Sequence, residues 1–597
     1  MSLHPNDVLR RTRLARLLLL FAFLMLGAGF YRAQVLRHDQ YALQSEENRL
    51  REVPLPAARG VIYDREGNVI AENRPGYTVS LFAPSPDSLR TALRRLGEII
   101  DIPAVEVETI VRRYNRAPGR PAVILADAKF QEIAVLEEHR TEFPQLIIQS
   151  TPKRWYPDGG AVASLVGYTG EISEGELALP RYQEYKAGMR VGKRGLEQQY
   201  EGYLRGHEGY RFVEVDARGR VVREAGARED QQPQGGPALQ TNIDMGLQRL
   251  AVELFGDSLQ GAVVAMDPRT GGILALYSAP SYDPNRFTGG IPKSYWDSLN
   301  TDPRRPMYNK AVQGRYAPGS TFKLATAIAG LEAGIVNLDT RMEVPCTGGF
   351  SFGRGYWRCW DKHGHGNVTL AQAIEKSCDV YFYQLGLKLR LAGLVAGGVR
   401  LHFNEKSGID LPSETRPEFP YGVEYFRKKY GRNFVQQSSA INMSIGQGEN
   451  AQTVINMARF YTALATDGFL VRPTVAQQRT VARQRVFTLP PDQLAGLRAA
   501  LAGVVAEGGT AAGARIEGLT IAGKTGTAQS GTYVNGKELN HAWFTGFAPA
   551  DNPRIVIAVM LENVSFHGSV SARLASRMIE AYLKAPVTAT AAITQTE

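Results

Sequence analysis

Residues 314–323 read GRYAPGSTFK, a Pro-Gly break followed by a helix-like pattern. From Thr321 to Leu331 apolar residues recur at helical spacing, so we expect Ser320 at the start of a helix with Lys323 on the same face. A serine hydroxyl is a weak nucleophile that needs a nearby base, and a lysine in a dry cleft can act as that base. The segment predicts an activated serine, although the bare S-x-x-K spacing occurs by chance about once in a chain of this length.

A second motif lies near the carboxyl end, where Ile521–Gln529 reads IAGKTGTAQ and predicts a strand. Lys524 beside the hydroxyls of Thr525 and Thr527 offers hydrogen-bond donors to a carboxylate. Gly526 has no side chain, so a ligand can approach the strand edge closely there. A backbone N–H of this strand can pair with that of the serine to form an oxyanion hole. Alone, the motif is equally typical of a surface strand that carries a lysine.

The third motif is the triplet Ser377-Cys378-Asp379, which follows a short helical pattern at Leu370–Lys376. On its own it is typical of an ordinary helix end. The order S-x-x-K, then a serine-containing triplet, then K-T-G is the set found in penicillin-binding proteins and class A β-lactamases. The three motifs together therefore indicate acyl transfer through Ser320.

The carboxyl-terminal half predicts an antiparallel sheet. Two apolar runs around a Pro/Gly turn form one hairpin, and three further runs joined by short turns add to it. The five predicted strands are Ala262–Asp267, Gly272–Tyr277, Leu519–Gln529, Ala542–Phe547 and Ile555–Leu561. Helical patterns lie before the sheet, after it and in the long insertion within it. The expected class is α+β, with helices packed on a five-stranded antiparallel sheet.

Composition and pattern divide the chain into five parts. The prediction is a cytoplasmic tail at 1–13, a transmembrane anchor at 14–34, a mixed pedestal domain at 35–232, a catalytic domain at 233–585 and a disordered tail at 586–597. The polar segment Glu224–Gly236 (EAGAREDQQPQGG) reads as a linker and gives the main boundary.

The amino terminus indicates the compartment. Four arginines at positions 10, 11, 13 and 16 precede the uncharged run Leu17–Tyr31, and the residues after this run match the small-residue cleavage pattern poorly. We therefore predict an uncleaved signal anchor rather than a cleaved signal peptide or a buried soluble helix. Because cytoplasmic arginines place the amino terminus inside, the rest of the chain is expected outside the inner membrane.

Composition narrows the class of protein. The 597 residues are 44% hydrophobic and 21% charged, which excludes a disordered chain and a collagen, and a polytopic membrane protein is excluded because only one stretch could span a bilayer. The net charge of +10 suits nucleic acid, a membrane surface or an anionic polymer. No nucleic-acid motif accompanies the charge, so we expect anionic lipid and wall polymer as its targets, and no nucleic acid.

Across nearly its whole length the chain resembles the class B, monofunctional penicillin-binding proteins, and within them the elongation type. Five segments carry this resemblance besides the three motifs. They are Arg59–Ala71 (RGVIYDREGNVIA), Arg154–Gly167 (RWYPDGGAVASLVG), Gly195–Gly206 (GLEQQYEGYLRG), Ile445–Gly448 (IGQG) and His541–Pro549 (HAWFTGFAP). The pedestal is too short for a glycosyltransferase domain and lacks its motifs, which argues against the bifunctional class A proteins.

The resemblance implies a role for each motif residue and needs no catalytic cofactor. Ser320 would be acylated by a D-Ala-D-Ala stem peptide, Lys323 would act as the base, and Ser377 would relay protons to the leaving amine. A second stem's amine would then resolve the acyl-enzyme into a cross-link, and β-lactams would stall the first step. Substrate binding is assigned to the triplet and K-T-G residues Asp379, Lys524, Thr525, Gly526 and Thr527.

The triplet departs from the commoner S-x-N pattern, because Asp379 occupies the Asn position. An ionised carboxylate accepts hydrogen bonds but donates none, unlike an amide. By resemblance, S-x-D favours the elongation type over the division type. A role in substrate binding is left open by this difference.

The three cysteines and a histidine form a further candidate site. Cys346, Cys359, His365 and Cys378 supply three thiolates and an imidazole, which suits a closed structural zinc site. Asp361 and His363 are rival ligands. The alternatives are one disulfide with a spare thiol, or three separate buried cysteines.

Three other functions compete with an elongation-type transpeptidase. The S-x-D triplet and the Cys/His cluster argue against a division-type transpeptidase. The anchor and the long pedestal argue against a β-lactamase or sensor. A non-enzymatic scaffold would act through the pedestal instead of the serine. By resemblance, the membrane partner is a RodA-type SEDS glycosyltransferase, which anchor and pedestal would contact and activate.

Overall fold

The computed structural model describes residues 5–38, 50–116, 120–215, 221–223 and 229–584. The predicted tail 586–597 lies outside the described residues, as does the first part, 224–228, of the predicted linker. The described residues form the following helices and strands. The helices are α1 Pro5–Tyr31, α2 Pro86–Leu96, α3 Ala104–Arg116, α4 Phe130–Glu138, α5 Ala163–Val166, α6 Glu174–Leu177, α7 Gly195–Gln199, α8 Glu201–Leu204, α9 Met245–Phe255, α10 Lys293–Thr301, α11 Lys323–Glu332, α12 Leu370–Glu375, α13 Asp379–Arg400, α14 Val423–Tyr430, α15 Gln436–Ser444, α16 Val454–Ala465, α17 Pro491–Val505 and α18 Ser569–Lys584. The strands are β1 Leu50–Leu55, β2 Ile62–Tyr63, β3 Val69–Leu81, β4 Ala122–Leu125, β5 Leu146–Trp155, β6 Thr169–Glu171, β7 Arg190–Gly192, β8 Gly209–Val215, β9 Val221–Arg223, β10 Leu239–Gln240, β11 Gly261–Met266, β12 Ile273–Ala279, β13 Gly349–Phe352, β14 Gly355–Arg358, β15 Phe469–Val471, β16 Arg483–Arg485, β17 Ala522–Val534, β18 Lys537–Ala548 and β19 Ile555–Val564.

The second half of the chain is built on an antiparallel sheet in the order β12-β11-β19-β18-β17. This confirms the predicted α+β class and the five strands. Each strand is longer or shifted relative to its apolar run, most of all β17 and β18, which extend into a hairpin beyond the sheet. That hairpin is exposed at Tyr533 and Val534, so burial does not impose a hydrophobic pattern on it.

Both faces of this sheet are buried. Alternate side chains of β11 and β19, such as Val264 and Met560, pack into a core with the helices of the long insertion. The intervening side chains, such as Val263 and Val559, pack against α9 and α18. Among the described strands, β17 pairs with β18 alone, so its other edge faces the insertion, where Ser320 lies.

The first half of the chain contains a second sheet, in which β10, β2, β3 and β4 are neighbours and β5 also pairs with β3. The predicted linker is not a free connection in its described part. His207 forms an antiparallel bridge with Gln234, and Leu239 in β10 pairs in parallel with Ile62. Residues 231–240 therefore belong to the pedestal, because a polar Gly/Pro-rich segment still satisfies its backbone by pairing with strands.

A buried ion cluster joins the three pedestal segments that carry the family resemblance. Glu197 is fully buried and accepts hydrogen bonds from the Arg59 guanidinium and, at 2.6 Å, from Arg154 Nε. Tyr156 donates to the same carboxylate at 3.2 Å, and Arg59 also pairs with Glu201 at 2.8 Å. Burial opposes ionisation of Glu197, but the charges of Arg154 and Arg59 outweigh it and hold its pKa below the usual value.

The amino-terminal helix matches the predicted anchor in position. Residues Thr12–Leu36 form the one helical segment among the described residues that is long and apolar enough to cross a membrane, with a mean hydropathy of 2.0 and no buried side chains. Helix α1 continues at Arg32–Leu36 as a short π-helix. Residues 39–49, at the start of the predicted pedestal, lie outside the described residues.

Candidate active site

Ser320 lies in a 3₁₀ turn, Gly319–Phe322, that leads directly into α11. Gly319 has φ +53°, a conformation that favours glycine, and a Cβ there would lie 2.9 Å from the Thr527 carbonyl oxygen. The Gly319 N–H donates to Gly446 O at 3.0 Å. The missing side chain thus allows the serine turn to pack directly against strand β17.

The family-like segment around Trp543 also holds this turn. Trp543 is fully buried in β18, and its indole Nε1–H donates to Ala317 O at 3.0 Å. Tyr461 donates its hydroxyl to Thr321 O at 3.1 Å from the opposite side. The backbone around Ser320 is therefore fixed by contacts from three separate parts of the chain.

Lys323 is fully buried and its amine has three acceptors. Nζ donates to Ser377 O at 2.8 Å, to Ser377 Oγ at 3.2 Å and to Asp379 Oδ1 at 2.8 Å. Ser377 has φ +56°, which turns its carbonyl and hydroxyl toward the same amine. Among the described residues, the Ser320 hydroxyl forms no hydrogen bond. The structure thus brings the S-x-x-K lysine and the triplet together as predicted from sequence.

Asp379, which the sequence assigned to substrate binding, has protein partners for both of its carboxylate oxygens. Its Oδ1 accepts from Lys323, and its Oδ2 accepts from the main-chain N–H of Trp360 at 3.1 Å. Asp379 is only 9% exposed. The carboxylate therefore lies against the lysine amine, with one protein donor on each oxygen.

The K-T-G residues lie on the edge strand β17. Lys524 is fully buried, and its pKa is lowered well below the usual value, first by burial and then by the positive charge of Lys323. A Cβ on Gly526 would lie 2.9 Å from Pro318 O, so this glycine lets the strand pass close to the serine turn. Lys524 therefore faces the Lys323 group, as the motif order requires.

Thr525, also assigned to substrate binding by the sequence, has a hydrogen-bond partner within the protein. Its hydroxyl oxygen is 2.8 Å from that of Thr510, and its side chain is 9% exposed. Side chains alternate along a strand, so Thr525 points to the face opposite Lys524. Its hydroxyl is engaged inside the protein, whereas Thr527 is partly exposed beside the serine turn.

The predicted cysteine and histidine ligands meet in one cluster beside the triplet. The four ligand atoms of Cys346, Cys359, His365 and Cys378 all lie within 4.8 Å of one another, and the cysteines are free thiols. His365 Nδ1 is 3.6 Å from Cys346 Sγ and 3.5 Å from Cys359 Sγ. A tetrahedral zinc ion with ordinary Zn–S and Zn–N bonds gives an S···N edge of about 3.6 Å. The donor set and spacing fit zinc.

Sequence reasoning missed two residues at the site. Trp360 contacts Asp379 through its main chain and Lys376 O through Nε1–H at 3.0 Å, and Thr510 contacts Thr525. Trp360 directly follows Cys359, so its position beside a predicted ligand was a usable signal. Thr510 follows α17 and has no comparable signal, because its contact depends on how that helix packs on β17.

Comparisons with known proteins agree across both halves of the chain. The family described as Penicillin binding protein transpeptidase domain matches residues 261–580, and the family described as Penicillin-binding Protein dimerisation domain matches residues 54–241. The peptidoglycan D,D-transpeptidase MrdA of Acinetobacter baumannii is 34% identical over 95% of this chain and 86% of its own length.

Two solved structures have the same fold. Penicillin-binding protein 2 of Helicobacter pylori, in a complex with MreC, matches with a TM-score of 0.78 and 27% identity over 90% of this chain and 99% of that chain. A chain from a study of how a peptidoglycan synthase complex coordinates polymerization and crosslinking matches with a TM-score of 0.70 and 28% identity, over 97% and 99% of the two chains.

Proposed function

The chain belongs to the penicillin-binding protein family of serine-type peptidoglycan D,D-transpeptidases, of the penicillin-binding protein 2 (MrdA) type, and from this premise we propose how its residues act. The observation that supports the proposal most is the Lys323 amine, held between Ser377 and Asp379 one helical turn from Ser320. Acyl transfer needs a nucleophile, a base and a proton relay close together, and Ser320, Lys323 and Ser377 are our candidates for these roles.

Acylation begins at Ser320. Lys323, in its neutral amine form, accepts the serine proton on its lone pair while Oγ attacks the carbonyl of the D-Ala-D-Ala bond. The proton passes to the departing D-Ala amine through Ser377, whose hydroxyl is 3.2 Å from Lys323 Nζ. The edge of β17 binds the peptide alongside Ser320, with Lys524 as the cation and Thr527 as the exposed hydroxyl near its terminal carboxylate.

Deacylation reverses these roles. The amine of a second stem peptide attacks the acyl-serine, Lys323 and Ser377 accept its proton, and a peptide cross-link replaces the ester. A β-lactam imitates the first step, because its ring carbonyl acylates Ser320 and no leaving group departs to make room for an acceptor.

We place this reaction in cell elongation, together with a membrane-embedded RodA-type glycosyltransferase. The relative in a peptidoglycan synthase complex and the relative bound to MreC support an assembly of this kind. The apolar helix at Thr12–Leu36 would anchor the chain in the inner membrane, with its arginines on the cytoplasmic side and the catalytic domain outside. The anchor and pedestal would contact the glycosyltransferase.

The function is tested by incubating the full chain and a RodA-type polymerase with lipid II in detergent. We expect cross-linked glycan and released D-Ala, both suppressed by prior treatment with penicillin, while uncross-linked polymer persists. Polymer without any cross-link or D-Ala release, from a wild type that is folded and membrane-anchored, would support the scaffold function instead.

We also propose a structural zinc ion bound by Cys346, Cys359, His365 and Cys378. A closed set of four protein ligands leaves no position for substrate, so the ion would hold the loop and take no part in acyl transfer. Asp361 and His363, the rival ligands, lie outside the four-residue cluster. Because Cys378 stands between Ser377 and Asp379, the metal would restrain the segment that carries the proton relay.

Replacing Cys378 by serine is expected to lower the zinc content of the purified protein, the melting temperature and the rate of penicillin acylation together. We expect a loss of zinc affinity of about 10- to 100-fold or more, by analogy with altered ligand shells. Elemental analysis, thermal unfolding and gel labelling measure the three quantities. His363→Ala is the control that should retain zinc, and an equal loss in both variants would contradict the Cys₃His set.

A further inference from the structure

The Asp379 carboxylate lies between two hydrogen-bond donors. Lys323 Nζ is 2.8 Å from Oδ1, and the Trp360 main-chain nitrogen is 3.1 Å from Oδ2. Asp379 directly follows Cys378 and Trp360 directly follows Cys359, so both belong to segments of the Cys/His cluster. The carboxylate therefore connects the predicted base to that cluster.

An asparagine at position 379 cannot make both contacts. An amide has one acceptor oxygen, and its other terminal atom carries two N–H donors. With its oxygen toward Lys323, the amide NH₂ would face the Trp360 N–H, and after a flip it would face the lysine amine. In either orientation two donors oppose each other, one of them at the buried Lys323 amine or at the part-buried Trp360 N–H, which costs the hydrogen bonds of both groups.

The position of Trp360 is itself fixed. Its indole Nε1–H donates to Lys376 O at 3.0 Å, and its ring lies 5.4 Å from the His365 ring, centroid to centroid. The main-chain N–H that Asp379 accepts therefore cannot turn away easily to accommodate an amide. This gives a physical reason for S-x-D in this chain where S-x-N is commoner.

We propose that Asp379 is a positioning residue for Lys323, required as a carboxylate because the Trp360 N–H demands a second acceptor, and that it does not bind the substrate. The inference rests on the proposed acyl-transfer function of Ser320 and Lys323. In this proposal, the segment that carries Cys359 and His365 influences the reaction through the Asp379 carboxylate. A displacement of about 1 Å in a catalytic group can lower a rate by about 100-fold.

The test separates binding from chemistry. A fluorescent penicillin is mixed with full-length wild type and Asp379→Asn in detergent over a range of concentrations. The data give the dissociation constant of the non-covalent complex, the acylation rate constant and the final labelled fraction. For Asp379→Asn we expect the rate constant to fall by about 100-fold while the dissociation constant changes by less than about threefold.

Each other outcome contradicts the proposal in a distinguishable way. A raised dissociation constant with an unchanged rate constant would mean that Asp379 binds substrate. A smaller labelled fraction and lower melting temperature, with an unchanged rate constant in the labelled fraction, would mean a purely structural role. Wild-type constants in Asp379→Asn would also overturn it, and a wild type that takes no label would contradict the proposed function itself.

Two further variants examine the Trp360 contact. Trp360→Phe keeps the main-chain N–H but loses the indole bond to Lys376 O, so we expect a smaller loss of the acylation rate constant, about 3- to 10-fold. Tyr356→Phe, on the exposed hairpin nearby, is the matched control and should match wild type. If the acylation rate constant falls as far in Trp360→Phe as in Asp379→Asn, the indole side chain, and not the main-chain N–H of Trp360, is needed to position Asp379.

Discussion

Ser320→Ala is expected to abolish covalent labelling by penicillin and all cross-linking, without unfolding the protein. The Ser377 hydroxyl also contacts Lys323, but its motif assigns it to proton relay, and an alanine at position 320 offers no atom for the acyl bond. The rate should fall by at least about 10³-fold, the scale of lost triad nucleophiles. The rate of covalent labelling is measured by gel fluorescence after exposure to a fluorescent penicillin.

The same variant should keep the wild-type melting temperature. The Ser320 hydroxyl has no hydrogen-bond partner within the described part of the chain, so its removal breaks no protein contact. Polymerase activation by the complex should persist, because the pedestal is unchanged. A residual band in Ser320→Ala that resists boiling in detergent would indicate another acylated residue and contradict the assignment.

Glu197→Gln is expected to destabilise the pedestal strongly. The substitution leaves Arg154, which is 5% exposed, without its nearest counter-charge and weakens the bond from Arg59. Breaking a buried ion pair by neutralising one partner costs about 3–5 kcal/mol. Chemical denaturation followed by pedestal tryptophan fluorescence, from Trp155, measures the change. Lys584→Ala, which removes an exposed pair with Glu580, should unfold like wild type.

The stability difference between wild type and Glu197→Gln should depend on pH, in a direction that the pKa of Glu197 sets. The pKa of Glu197 is held below its usual value by Arg154 and Arg59 against the effect of burial. The stabilisation is therefore fully present above about pH 4.3, the ordinary glutamate value, and is lost as pH falls through the lower folded value. The difference in free energy of unfolding between wild type and Glu197→Gln should become smaller below about pH 4. A difference that stays constant with pH would show that the charge of Glu197 does not stabilise the cluster.

The elements that sequence predicted well are those with strong local signals. Residues Ala262–Met266 of β11 and Ile555–Leu561 of β19 are buried on both faces of the sheet, so every residue in these two runs is hydrophobic and the strands are evident. The order of the three motifs also predicted that Lys323, Ser377 and Lys524 share one site, and in the structure the three residues lie together. The exposed end of the β17–β18 hairpin has no hydrophobic pattern, so the sequence did not predict how far these two strands extend.

The partners of individual polar groups could not be predicted. Asp379 has the Trp360 main chain beside it only because the Cys/His loop folds back onto the triplet, and Thr525 meets Thr510 only because α17 ends there. Such contacts depend on tertiary packing rather than on spacing along the chain. A polar composition was likewise not enough to show that residues 231–240 add to the pedestal.

The sheet of the catalytic domain has a consequence for biogenesis. Gly261 pairs with Leu561, so two neighbouring central strands come from opposite ends of the domain's sequence. Such distant pairing makes folding slow and leaves incomplete chains with unpaired strands. If the catalytic domain is exported as proposed, the segment with Ser320 would emerge long before β17, which completes the cleft. A nascent chain would then have no competent active site, and β-lactams would inactivate only molecules whose translocation is finished.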